Sequence, residues 1–186
     1  STRTALGEVT TEDYDAEGRL TVETDALGNT SRFEYTPTGK LRKSTDPTGT
    51  VSLREYNGED LLRSATDPLG HTTTFSYDGA LRLTGNTDPT GGSITGSYDP
   101  AGNLTSVRDP RGFTTAYTFD ALGRAIGQTD PLGRTNASSY DARGLIATTT
   151  NGRGQVMRCE YDDAARLTAL HSANRDVSFV LDPNGN

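Results

Sequence analysis

The chain has 186 residues, 31% of them apolar, with 21 glycines, one cysteine and two histidines; apolar residues and glycine together fall a little under the usual globular share, so any core is lean. A net charge of −7 argues against nucleic-acid binding and against docking on anionic lipid, both of which need clustered cations. Cys159 alone excludes an internal disulfide framework or a multi-cysteine zinc site, no apolar run approaches the ~18–20 residues of a membrane span, and His71 and His171 leave little material for acid–base chemistry.

The first residues, Ser1 to Gly7, carry no initiator Met and no apolar signal-peptide core, and read as a cut made inside a larger protein. Leu6 and Gly7 match the second half of a repeat that then becomes explicit. Tyr14, Tyr35, Tyr56, Tyr77, Tyr98, Phe119, Tyr140 and Tyr161 follow one another at 21-residue intervals. One unit runs from Tyr14 to Glu34, and about eight such units make up residues 1–186 as a single array with a partial repeat at each end and no separate domain. Asp follows the aromatic at Asp15, Asp78, Asp99, Asp120, Asp141 and Asp162. Gly takes the fifth place at Gly18, Gly39, Gly102, Gly123 and Gly144. The seventh place is aliphatic, as at Leu20, Leu41, Leu62, Leu83, Leu104, Ala125, Ile146 and Leu167.

The second half of the unit carries Asp-Pro-Xaa-Gly: Asp46, Pro47 and Gly49; Asp67, Pro68 and Gly70; Asp88, Pro89 and Gly91; Asp109, Pro110 and Gly112; Asp130, Pro131 and Gly133. Asp, Pro and Gly are what the first, second and fourth corners of a type I turn select. The Asp-Xaa-Xaa-Gly after each aromatic has the same grammar. The intervening stretches are six or seven residues long and rich in Thr, Val, Tyr and Phe, which suits strands, while Gly or Pro about every ten residues disfavours helix. The sequence therefore predicts an all-β chain of tandem 21-residue β-hairpins, roughly 16–18 short antiparallel strands in one curved sheet.

Alternation puts Phe33 and Tyr35 on one face and Thr30, Arg32 and Glu34 on the other. Phe33, Phe75 and Tyr117 stand two places before the aromatic in every second repeat, which suggests a two-repeat superperiod. At about 4.8 Å between strands, eight hairpins span of order 80 Å, too wide to stay flat with a wet apolar face. The pattern decays towards the C-terminus. Asn151-Gly152 and then Ser172-Ala173 replace Asp-Pro, and Arg175 sits where Gly would be. Leu181, Asp182, Pro183, Asn184 and Gly185 restart it.

Candidate chemistry is thin. The Asp column resembles hard-cation ligands, but each Asp opens a turn that wants Asp for its own hydrogen bonds. Asp162-Asp163, the one adjacent pair of aspartates, reads as neighbouring strand residues that point to opposite faces, which argues against a catalytic dyad. Cys159 occupies the place of Phe33 and Phe75, which suits a small buried residue; His171 is the histidine nearest to it. His71, at a turn exit, reads as exposed. No catalytic, cofactor or metal site is assigned. The tyrosine row reads as structural stacking within the wall, with carbohydrate or polypeptide contact as the sharper alternative.

Tyr14-Asp15-Ala16-Glu17-Gly18-Arg19-Leu20, Phe119-Asp120-Ala121-Leu122-Gly123-Arg124 and Thr66-Asp67-Pro68-Leu69-Gly70 resemble the Rhs or YD repeats of bacterial polymorphic toxins, insecticidal toxin complex C components and teneurins. The resemblance implies a spiralling hollow β-shell that encloses a C-terminal toxin domain and holds it apart from the producing cell, often delivered by type VI secretion in interbacterial competition. It implies a secreted or cell-surface bacterial protein whose partners are the remaining repeats and the enclosed toxin, with no cofactor. A self-cleavage motif typical of the family is not recognisable, and Asp182 and its neighbours read as an ordinary turn. The expectation is a non-catalytic wall segment that self-associates through open sheet edges; the alternative is an adhesion or carbohydrate-binding module.

Overall fold

Turn-forming residues every ten positions leave a helix no length in which to propagate. In the computed structural model, which describes residues 2–3, 9–173 and 175–179, every regular element is a strand of two to six residues. Leu6, Gly7 and the run from Leu181 to Gly185 lie outside the described residues. The chain divides into two units, 1–94 and 95–186.

In the first unit, β1 (Thr2–Arg3), β2 (Val9–Tyr14), β3 (Leu20–Thr24), β4 (Thr30–Tyr35), β5 (Leu41–Thr45), β6 (Val51–Tyr56), β7 (Leu62–Thr66), β8 (Thr72–Tyr77) and β9 (Leu83–Thr87) pair antiparallel in sequence order. The second unit repeats the meander with β10 (Ser93–Tyr98), β11 (Leu104–Arg108), β12 (Thr114–Phe119), β13 (Ala125–Thr129), β14 (Thr135–Tyr140), β15 (Ile146–Thr150), β16 (Val156–Tyr161), β17 (Leu167–Ser172) and β18 (Arg175–Ser178).

One device builds nearly every turn. At Asp15 the N–H donates to the Arg19 carbonyl and the Gly18 N–H donates back to the Asp15 carbonyl, both at 3.0 Å. The Asp15 Oδ1 accepts the N–H groups of Glu17 and Arg19 at 3.1 and 2.9 Å. Gly18 sits at φ +79°, the left-handed region that glycine enters without steric cost. The Asp46 turn repeats this geometry with Thr48, Thr50 and Gly49, and Pro47 pre-sets φ at its second corner. Three post-aromatic turns hold the same left-handed position without glycine: Asp60, Leu81 and Ala165 at φ 59°, 63° and 62°.

Beside each aromatic the ladder slips by one residue. Glu34 faces Lys43 but Tyr35 faces Leu41, so Arg42 is the extra residue, and Arg42 and Lys43 both reach the Glu34 carboxylate. In the next half-hairpin, threonine pairs bond across the strands, as Thr66 with Thr72 and Thr129 with Thr135 at 2.8 and 3.0 Å.

In each unit, contacts between strands join sequence neighbours, giving a single layer. Among the described residues only Ser64, Gly85 and Ala169 are buried. Stability therefore comes from ladders, turns and cross-strand side-chain pairs rather than from a packed core.

Candidate functional site

The tyrosine row is the seam between successive hairpins. The hydroxyls of Tyr35, Tyr56 and Tyr77 donate to the carbonyls of Leu20, Leu41 and Leu62 at 2.8, 2.9 and 2.9 Å. In the second unit Tyr140 and Tyr161 reach Ala125 and Ile146 in the same way at 2.9 and 3.1 Å. The β3–β4 ladder begins at Val22 and Arg32, so the Leu20 carbonyl lies beyond the reach of that ladder. The phenol at the end of the next strand supplies a donor to this backbone group. Tyr14 is 55% exposed and turns its hydroxyl to Glu12 instead.

The residue after the turn glycine reinforces the seam. Arg124 donates from Nε to Asp120 Oδ2 at 2.7 Å, and its guanidinium carbon stands 4.3 Å from the centroid of the Tyr140 ring. Arg19 clamps Asp15 at 2.6 Å and lies over Tyr35 at 5.2 Å. Tyr-Asp-Xaa-Xaa-Gly-Arg is thus a coupling unit. Asp shapes the turn and orients Arg, Arg lies over the following Tyr, and that Tyr returns to the carbonyl just past the Arg. This role of arginine has no signal in alternation or turn grammar; the fixed 16-residue separation between Arg and the next Tyr is the only trace.

The same clamps set the carboxylate electrostatics. Asp120 and Asp78 are held below their ordinary pKa by the arginine side chain first and by its backbone N–H next; in Asp46 and Asp88 a threonine hydroxyl is the leading cause. Each Asp is engaged by its own turn. Among the described residues no group of three or more His, Cys, Asp or Glu is placed to hold a metal ion.

The remaining candidates are separated. Cys159 faces Leu170 and the adjacent pair is Arg158 with His171, so the thiol and the imidazole point to opposite sides of the strand pair. His171 lies between Glu160 and Asp176, 3.3 Å and 3.2 Å away, and its pKa is raised first by Glu160, against a smaller opposing effect of burial. Asp162-Asp163 lies in a turn rather than a strand, because the chain has already left β16 at Tyr161. Asp162 caps the N–H groups of Ala164 and Arg166 while Asp163 is exposed. His71 is exposed and held to Asp67 at 3.0 Å. The Phe33 column changes character along the chain. Gly96 takes that place in β10, where a Cβ would stand 3.0 Å from Leu104 Cδ1. No helix among the described residues is long and apolar enough to cross a membrane.

Comparison with known proteins adds the kinship. A search of curated proteins finds no match. Among solved structures, a chain in the crystal structure of TcdB2-TccC3-Cdc42 superposes with a TM-score of 0.55 at 20% identity, over 94% of this chain and 10% of that one. A chain of the Photorhabdus luminescens Tc holotoxin pore with mutated TccC3 gives 0.53 at 24% identity, over 91% and 9%. The chain therefore spans about a tenth of those proteins, and the likeness is one of fold. The RHS Repeat family model matches residues 14–51, 56–93 and 98–135, more than half of the chain. Each matched segment starts at an aromatic and spans nearly two 21-residue units, with Phe33, Phe75 or Tyr117 at the same place inside it. On the strength of that match the chain belongs to the RHS repeat family.

Proposed function

We propose that the chain is a non-catalytic stretch of Rhs-repeat wall, one continuous array that helps to enclose a C-terminal toxin domain in a secreted bacterial polymorphic toxin. The observation that carries this reading is the seam. At five places a Tyr hydroxyl on a backbone carbonyl ties one hairpin to the next, and the described residues of the single layer form no core of their own. Such a sheet gains stability by adding hairpins, and it presents two broad faces instead of a cleft; both suit a barrier. Containment needs no chemistry from the wall: it excludes the cargo's substrates sterically. The 21-residue period runs unbroken through position 94, which supports one array rather than two modules.

The adhesion or glycan-binding alternative needs a free aromatic row. Five tyrosines of this row already commit their hydroxyls to backbone carbonyls, and Arg19 and Arg124 lie over two of the rings. Delivery by a secretion system, type VI among them, belongs to the same proposal. Electron microscopy of the full-length protein that carries these repeats is expected to show a closed hollow body with internal density. An open ribbon with an empty face would overturn it. The 186-residue chain by itself is expected to self-associate through its terminal strands, which light scattering at micromolar concentration checks.

A further inference from the structure

We propose that His171 is a proton-operated clasp in the second unit: while its ring carries the extra proton it holds β18 on the sheet, and when that proton leaves, β18 loosens. The clasp goes beyond the wall reading and stands whether or not the wall encloses a toxin.

β18 is lightly tied. It has four residues, and among the described residues its pairing is with β17 alone. The Asp-type turn that joins the other strands is replaced before it by the direct pairing of Ser172 with Arg175. What else secures it is a side-chain cluster centred on the ring of His171, which pairs with Arg158 on β16 and with Asp176 on β18. The Phe179 N–H donates to the Thr168 carbonyl at 2.8 Å. Hydrogen-bonded and non-hydrogen-bonded pairs alternate along an antiparallel ladder, so His171 and Asp176 form a non-hydrogen-bonded pair, the kind whose side chains stand closer.

Each ring nitrogen meets its own carboxylate. Nδ1 lies 3.2 Å from Asp176 Oδ1. Nε2 is shut off from water and lies 3.3 Å from Glu160 Oε1. A neutral imidazole has one N–H and one lone pair, so it would set a lone pair against one of these two carboxylates; the imidazolium turns an N–H to each. The arrangement therefore fits the charged ring. His71 is the contrast: its ring meets the Asp67 carboxylate through Nδ1, a contact that a neutral tautomer satisfies.

The charges around the ring agree. Glu160 faces it from β16 and Asp176 from β18, while Arg158 on β16 is the like charge opposite it. Arg175 precedes Asp176 and points to the other face, and β17 itself carries no other charged residue. The two carboxylates outweigh Arg158, and the His171 pKa is raised, first by Glu160 and with burial opposing. A raised folded value means that the clasp is complete below the ordinary histidine value, about 6.5, and is lost as pH rises through the folded value.

The test is NMR of the 186-residue chain from about pH 5.5 to about pH 8.5, the range in which histidine titrates. The His171 ring is followed together with the exchange protection of the Val177 and Phe179 amides, corrected for the intrinsic rise of exchange with pH. Protection is expected to fall about two- to fivefold along the His171 titration curve, the worth of one exposed ion pair, while amides of β12 and β13 keep theirs. His171→Gln should leave β18 loosened at every pH in the range. Asp176→Asn keeps the shape of the pair and should remove the pH dependence, which serves as the control if the glutamine variant fails to fold. Protection that stays flat while His171 titrates, an equal fall in β12 and β13, or an unchanged pH dependence in Asp176→Asn would overturn the clasp.

Discussion

The turns opened by Asp120 and Asn57 have the same skeleton from different parts. In each, the first residue's N–H reaches the carbonyl four places on, and the fourth residue's N–H returns to the first carbonyl. In each, a side-chain oxygen accepts two backbone N–H groups: those of Leu122 and Arg124, or those of Glu59 and Leu61. They differ in charge, in the left-handed residue (Gly123 against Asp60) and in the clamp, which Arg124 supplies and Leu61 does not. The backbone turn therefore asks only for an oxygen at its first corner. Charge, glycine and clamp are separable additions, and each can be removed on its own.

Acid removes the charge, with the largest expected effect. Eleven turn aspartates, from Asp15 to Asp162, have carboxyls held below the ordinary value. Their folded pKa values are depressed, so their contribution is complete above the unfolded carboxylate range, near pH 4, and is lost as pH falls through the folded values. The melting temperature should fall steeply below about pH 4. Amide exchange sharpens the comparison. The N–H groups of Leu122 and Arg124 should lose protection first, while those of Glu59 and Leu61, held by Asn57, should keep theirs. Simultaneous loss would mean that the turns do not open individually. Asp120→Ala at neutral pH should give the largest single-site fall in melting temperature in this set.

Glycine is the second addition. A Cβ at Gly18 meets nothing within 4 Å, so Gly18→Leu tests backbone strain alone and should cost about 1–2 kcal/mol. Leu81→Gly runs the other way. It relieves the left-handed strain but gives up chain stiffness in the unfolded state, for a net gain of about 0.5 kcal/mol. Urea unfolding of both variants checks the pair; a Leu81→Gly protein that is no more stable would place the cost of φ 63° elsewhere.

The fold was legible because period, turn grammar and strand chemistry agree. Asp-Pro-Xaa-Gly announces a turn at Asp46, Asp67, Asp88, Asp109 and Asp130 from residue type alone. Leu81 and Ala165 show the limit: nothing in those side chains signals a left-handed backbone, and only the 21-residue period assigns it. The last turn shows the opposite limit. Ser172 pairs directly with Arg175 where the Asp-type turn is expected, and the Ser172 hydroxyl bonds the backbone of Arg175 on both its groups. The seam was illegible in its mechanism. An aromatic column reads as ring stacking, but the tyrosines act through their hydroxyls on carbonyls beyond the end of the adjoining ladder, and no local pattern records where that ladder ends.

The hydroxyl is the third addition, and the array contains its own variant. Phe119 replaces tyrosine in β12, and the β11–β12 ladder begins at Ser106 and Ala116, so the Leu104 carbonyl stands where Leu62 stands for Tyr77. Tyr77→Phe should cost about 1 kcal/mol, the net worth of one hydrogen bond plus the exposure of an orphan carbonyl. Phe119→Tyr should recover less, about 0.5 kcal/mol, because a carbonyl long without a phenol is already served by solvent at this half-buried edge. If both changes are neutral, the hydroxyls are ornaments of a seam held by the ring and the overlying arginine. If Tyr77→Phe costs and Phe119→Tyr returns nothing, the seam at Phe119 has repacked around its missing donor, and the wall tolerates a break in the row without losing its register.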